Sequence, residues 1–210
     1  HKGINVFSCK VHGHSAHSSL TPQGVNAIDY AARIIVFLQG LGKQLQTQHE
    51  QDAAFDVPFS TLNVGRIRGG TAVNIIPNEC ELQFDYRNLP TTNTDAVLLP
   101  LKAYLQELIQ EMQQVHGDAT IVLKQLEQVP AMQSVEGNAL YTLIEALVDE
   151  HKRSKVAYAT EGGHFQLAHM DTVICGPGSI VQAHKADEYI ALSQLVRCDR
   201  FLQQLLQTFS

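Results

Sequence analysis

Three histidines, His12, His14 and His17, fall close together, and the last two lie inside the run Gly13-His14-Ser15-Ala16-His17-Ser18-Ser19. The spacing puts this polar loop between a strand and a helix, whose N-terminal N–H groups favour anions and developing oxyanions. A histidine there can donate a hydrogen bond to a tetrahedral intermediate, or it can be ordinary loop polarity. Asn74-Ile75-Ile76-Pro77 follows a Gly69-Gly70 turn and precedes a strand that ends Asp85-Tyr86-Arg87. Asn74 and Arg87 read either as a turn cap and an ion-pair partner, or as an amide donor and a guanidinium fork for a carboxylate. Thr160-Glu161-Gly162-Gly163-His164 joins a predicted strand to a predicted helix, and Gly176-Pro177-Gly178 follows the next strand. Ligands of open α/β sheets collect at such strand ends, which makes Glu161, Gly162 and Gly178 candidates for substrate contact. His184, followed by Asp187 and Glu188, has the chemistry of a metal ligand, but no HxxxH or HExxH partner accompanies it.

The elements that must position these residues follow from periodicity. Ile4 to Val11 alternates as a strand, and Gly13 to Leu20 reads as a loop. Thr21 is the predicted N-cap of a helix with Pro22 at its first position; Val25, Ile28, Ala32, Ile35 and Leu38 form its face and Gly40 and Gly42 its end. Lys43 to Pro58 reads as a loop or a frayed extension of that helix, Ser60 to Ile67 and Glu79 to Arg87 as strands, Asp95 to Val115 as a helix with Pro100 near its first turn or at a kink, and Thr120 to Leu126 as a fourth strand. On the third strand Cys80, Leu82, Phe84 and Tyr86 share one face. The order β-α-β-β-α-β is that of a ferredoxin-like split βαβ unit, an α+β arrangement of a four-stranded antiparallel sheet with two helices on one face.

After Pro130 the pattern changes to helix over Val135 to Lys152, strand over Val156 to Ala159, helical turn over Gly163 to Ala168, buried strand over Thr172 to Cys175, and helix over Ala191 to Phe209. That is a piece of an α/β sheet. Two strands are too few to cover its helices, so their apolar faces are expected to stay wet without further sheet.

A 210-residue chain with 44% hydrophobic residues fills a substantial core. Its 15 basic and 21 acidic residues are scattered, giving a net charge of −6 that attracts neither nucleic acid nor an anionic membrane. No apolar run has membrane-spanning length. Cys9, Cys80, Cys175 and Cys198 lack CxxC spacing, which suits buried thiols in a reducing, cytoplasmic setting. The opening His1-Lys2-Gly3 runs directly into an apolar segment and reads as a start in mid-domain.

Four segments in order carry a resemblance: Gly13 to Ala27 (GHSAHSSLTPQGVNA), Asn74 to Pro90 (NIIPNECELQFDYRNLP), Thr160 to Gly163 (TEGG) and Cys175 to Tyr189 (CGPGSIVQAHKADEY). Together they resemble the co-catalytic zinc amidohydrolases. The resemblance implies that residues 4–127 form a lid that dimerises, and that 128–210 are the C-terminal part of an α/β metallohydrolase domain. It implies that His17 reaches the partner subunit's active site and stabilises an oxyanion, that Asn74 and Arg87 bind substrate or intermediate, with Arg87 on the substrate carboxylate, and that His184 is the last metal ligand. Two zinc (or cobalt) ions belong to the intact enzyme, held largely by HxD and Glu-Glu motifs that would precede His1. This chain is therefore expected to be a truncated form that binds no metal and is inactive alone. Within the family, SAHSSLTPQGVNAI and GPGSIVQAHKADEY are most similar to members that remove the acetyl group from N-acetylornithine in arginine biosynthesis. A desuccinylase or aminoacylase activity, or a role confined to dimerisation, are the alternatives.

Overall fold

A computed structural model describes residues 1–48, 50–133, 137–148, 154–183 and 185–209. The chain divides into two compact units, His1–Gln133 with Ser154–Gly163, and residues 134–153 with 164–210.

In the first unit β1 (Ile4–His12), α1 (Ala27–Thr47), β2 (Thr61–Gly69), β3 (Glu79–Arg87), α2 (Thr94–Gln113) and β4 (Thr120–Val129) build a four-stranded sheet of order β2-β3-β1-β4. All three pairings are antiparallel, so this is the split βαβ arrangement. Bulges at Gly65 in β2 and Leu126 in β4 interrupt otherwise continuous registers. One sheet face is apolar and buried: Phe7, Cys9 and Val11 of β1, and Cys80, Leu82, Phe84 and Tyr86 of β3. The other carries Lys10, His12, Glu79, Glu81, Gln83, Asp85 and Arg87. Burial pushes the Cys9 thiol up to about 12, so it behaves as a core apolar group.

Helix α1 starts later than the Thr21-Pro22 signal implies. Val25 is held extended by two hydrogen bonds to His14, so the helix begins only after it, with the Asn26 side chain accepting from Ile28 N at 3.0 Å and Asp29 N at 3.4 Å. Thr21 and Pro22 lie instead in a 3-10 turn, Ser18–Gln23. The buried face is also one residue out from the predicted one: Ala27, Ala31, Ile34, Leu38, Leu41 and Leu45. Helix α1 runs through Gly40 and Gly42 because burying Leu41 and Leu45, at roughly 1.5–3 kcal/mol each, outweighs about 1 kcal/mol per helical glycine. Helix α2 is capped by Asn93, which places Pro100 at its seventh residue, on an exposed position, rather than in the first turn. Between the helices Arg33 grips Glu111 through both guanidinium nitrogens, at 2.6 and 2.8 Å. Those hydrogen bonds hold the Glu111 carboxyl below its ordinary range. The pair's contribution is thus present at neutral pH and fades as the pH falls through the carboxylate range; being exposed, it amounts to at most about 1 kcal/mol.

The second unit holds α3 (Ala139–Leu147), most of α4 (Gly162–Leu167) and α5 (Leu192–Thr208), and α3 packs against α5. No residue of α3 or α5 is buried. The strands predicted at Val156–Ala159 and Thr172–Cys175 are irregular segments, and Ile174 is 54% exposed. A strand needs a neighbour's hydrogen-bond ladder, and among the described residues none is offered there. The predicted helix over Val135 to Lys152 is seen as Ala139–Leu147, and its remaining ends fall partly outside the described residues.

Replacing Leu38, fully buried, with Ala is expected to cost about 2–5 kcal/mol in urea unfolding. The same change at Leu99, which is 65% exposed, is expected to stay within about 0.5 kcal/mol; equal effects at both would overturn the core assignment.

Candidate functional site

Two loops far apart in sequence leave neighbouring strands at the same end of the sheet, because His12 of β1 sits opposite Glu79 of β3. Beyond that point they remain paired. Gly13 N donates to Asn78 O at 2.8 Å, Ile76 N to Ala16 O at 2.9 Å, Ser18 N to Asn74 O at 3.0 Å and Ala27 N to Pro77 O at 2.8 Å. His17 lies directly opposite Ile75 in an antiparallel bridge. Ile76 is buried and anchors the second loop, while His17 and Asn74 stay exposed. The approach is tight: a Cβ on Gly13 would stand 2.0 Å from the Val25 carbonyl oxygen, so only glycine fits.

The His17 ring is oriented by Ser19. Its Nδ1 accepts from Ser19 N at 3.3 Å and lies 2.8 Å from Ser19 Oγ. A nitrogen that accepts from a backbone N–H carries no proton, so the neutral ring holds its hydrogen on Nε2. His17 and Asn74 thus lie exposed on two loops whose backbones are hydrogen-bonded to each other. Ser19 was not among the residues picked out from the sequence, although a side chain that accepts from the N–H two residues on is a local pattern visible there.

Arg87 lies elsewhere. It closes β3, and the strand from Glu79 to Arg87 spans roughly 27 Å at about 3.4 Å per residue. Its Nε donates to Asp85 Oδ2 at 2.9 Å on the polar sheet face. Glu161 and Gly162 share that end of the unit: Gly3 N donates to Asn88 O, next to Arg87, Met132 N to His1 O, and His1 Nε2 stands 3.0 Å from Thr160 Oγ1. Glu161 is exposed, whereas Gly162 is buried with its N–H given to Thr160 Oγ1 at 3.1 Å. Lys155 secures this segment by a 2.5 Å bond to Asp52, whose carboxyl it holds below the ordinary range. Gly163 passes so close to the Pro130 carbonyl that a Cβ would lie 2.2 Å from its oxygen. In the second unit Gly178 has φ +90 and is exposed. His184 lies outside the described residues.

Among the described residues no three His, Cys, Asp or Glu side chains converge in a group able to hold a metal ion. The described residues therefore do not fit a zinc or cobalt centre. No described helix is long and apolar enough to cross a membrane.

Residues 1–113 match the family described as the peptidase dimerisation domain. Along its whole length the chain is 34% identical to an acetylornithine deacetylase of Photorhabdus laumondii and 31% identical to one of Pasteurella multocida, covering 52% and 53% of those proteins. It thus spans about half the length of the curated relatives it matches. Among solved structures, the aminopeptidase PepT of Bacillus cereus (TM-score 0.71) and an aminohydrolase of methicillin-resistant Staphylococcus aureus (0.69) share the fold at 17% identity, each over 96% of this chain and 50% of theirs.

Long-range proton–nitrogen NMR of the imidazoles is expected to find neutral His17 as the Nε2–H tautomer, and Ser19→Ala, which removes the hydroxyl but keeps the backbone N–H that Nδ1 accepts, is expected to retain that tautomer. A His17 ring protonated on Nδ1 in the unsubstituted protein would contradict the geometry.

Proposed function

We propose, from the premise that this chain belongs to the peptidase dimerisation domain family, that it is the lid and C-terminal portion of an amide hydrolase acting on N-acyl amino acids. N-acetylornithine is the substrate favoured, since relatives that match the full chain carry the name acetylornithine deacetylase. The observation that carries this reading is the backbone pairing of the His17 and Asn74 loops into one rim on which both residues are exposed. As water adds to an amide carbon the carbonyl oxygen gains negative charge, and Nε2–H of His17 with the Asn74 amide suits that oxygen. The C–N bond then breaks and the amine leaves with a proton. The groups that activate the water come from outside the described residues.

Arg87 supports a shared site. An N-acyl amino acid is far shorter than the roughly 27 Å of β3, so one bound molecule cannot meet His17 and Arg87 of the same chain. In a two-fold dimer the His17 and Asn74 rim of one protomer faces the substrate held near the partner's Arg87. The outer edge of β2, which no described strand pairs, supports such a dimer. Exposed apolar side chains flank it: Ile67 (52%), Val73 (102%) and Ile75 (42%), with Ile28 packed beside Gly70.

In the longer protein His17→Ala is expected to lower kcat about 10²–10³-fold with little change in KM, the scale of one lost oxyanion donor. Arg87→Ala is expected to act chiefly on KM. A loss below about threefold at His17 would remove it from the chemistry. Light scattering is expected to find a dimer that Ile67→Lys converts to monomer; a protein monomeric before substitution would end the shared-site reading.

A further inference from the structure

We propose that His116 is a positioning residue for the His17 loop, acting through His14 while both rings are neutral. The inference rests on the reading that the His17 rim serves the active site. The His14 and His116 rings lie face to face, centroids 3.8 Å apart and planes within 12°. His14 is the residue of the loop that exchanges both backbone hydrogen bonds with Val25, each 2.9 Å, three residues ahead of His17. His116 is a fixed platform: it sits in the turn after α2, its N–H given to Met112 O at 3.0 Å and its carbonyl accepting Ala119 N at 3.0 Å. The stack therefore ties the His17 rim to the end of α2.

The stack carries a condition. Nδ1 of His116 is buried and has no hydrogen-bond partner among the described residues. As a lone pair it is tolerated better than as an N–H, because protonation would bury a donor and a charge with no acceptor. A charge on either ring would also face the other at stacking distance, and two charges would repel. The charged and titratable groups on the surrounding elements do not offset this. Glu79 on β3 is paired with His12 at 3.8 Å, and Glu111 on α2 is engaged by Arg33 and Tyr30. Asp29 opens the first turn of α1, Asp118 follows His116 by two residues, and His17 adds a further imidazole on the same loop. A proton added to either ring thus works against the stack and frees the loop.

The test needs no turnover. Amide exchange at His14 and Val25, corrected for intrinsic rates, is followed at about pH 8 and about pH 5.5 in the unsubstituted chain, His116→Phe and His116→Ala. Protection of the two amides is expected to fall at least about tenfold on acidification in the unsubstituted chain. His116→Phe, which keeps a flat ring without a titrating nitrogen, is expected to hold protection at both pH values. His116→Ala is expected to lose it at both, with the β1 and β3 core amides unchanged as a folding control. An acid loss in His116→Phe equal to that of the unsubstituted chain, or full protection in His116→Ala, overturns the proposal. If His116→Ala does not fold, the His116→Phe comparison decides alone. Because exchange is read without substrate, a silent His17→Ala in the turnover assay would overturn the function proposed above while leaving the stack as measured.

Discussion

The register between β1 and β3 is the constraint on which the rest depends. It is set by the core, since Phe7, Cys9 and Val11 must face the helices together with Cys80, Leu82, Phe84 and Tyr86. A slip of one residue would turn one of these sets to solvent, and each such side chain contributes roughly 1.5–3 kcal/mol by burial. With that register fixed, the chain leaves β1 at His12 beside the point where it enters β3 at Glu79. The loops bearing His17 and Asn74 then have little choice but to pair, and their order is inherited from apolar packing several residues away. The same register sends Arg87 to the opposite end of the strand.

Most of the first unit was legible in sequence because its signals are local. Glu79–Arg87 alternates without exception, so the strand and its buried face match the reading residue for residue. Helix α1 was harder: Thr21-Pro22 is a sound local start signal, yet the bridge between His14 and Val25, a contact that no local pattern announces, delays the start to Ala27. Gly40 and Gly42 likewise carry a local stop signal that the burial of Leu41 and Leu45 overrides. The two short strands expected after Pro130 fail for the converse reason, since an apolar run of four residues states a preference for extension but not a partner.

The candidate site divides in the same way. The types of His17, Asn74 and Arg87 and their motifs were readable, but their distribution over two ends of the sheet was not, because separation in space depends on strand direction rather than spacing in sequence. Ser19 left a local trace in its position two residues after His17. His116 left none, being far along the chain from the His14 ring it stacks on.

A hydrogen-bond donor exposed to water stabilises a developing anion weakly, because solvent already serves that anion and screens the interaction. His17 and Asn74 are both exposed on this chain, so on the proposed function their value appears only when another protein surface covers the rim and removes water. The pairing of the two loops prepares for that step. It fixes the donors before closure, so that covering them costs little further ordering. The neutral stack of His14 on His116 extends the same preorganisation inward, linking the rim to the end of α2. An exposed pair of donors on a well-anchored loop is thus what a lid requires when its own sheet cannot supply the rest of the site.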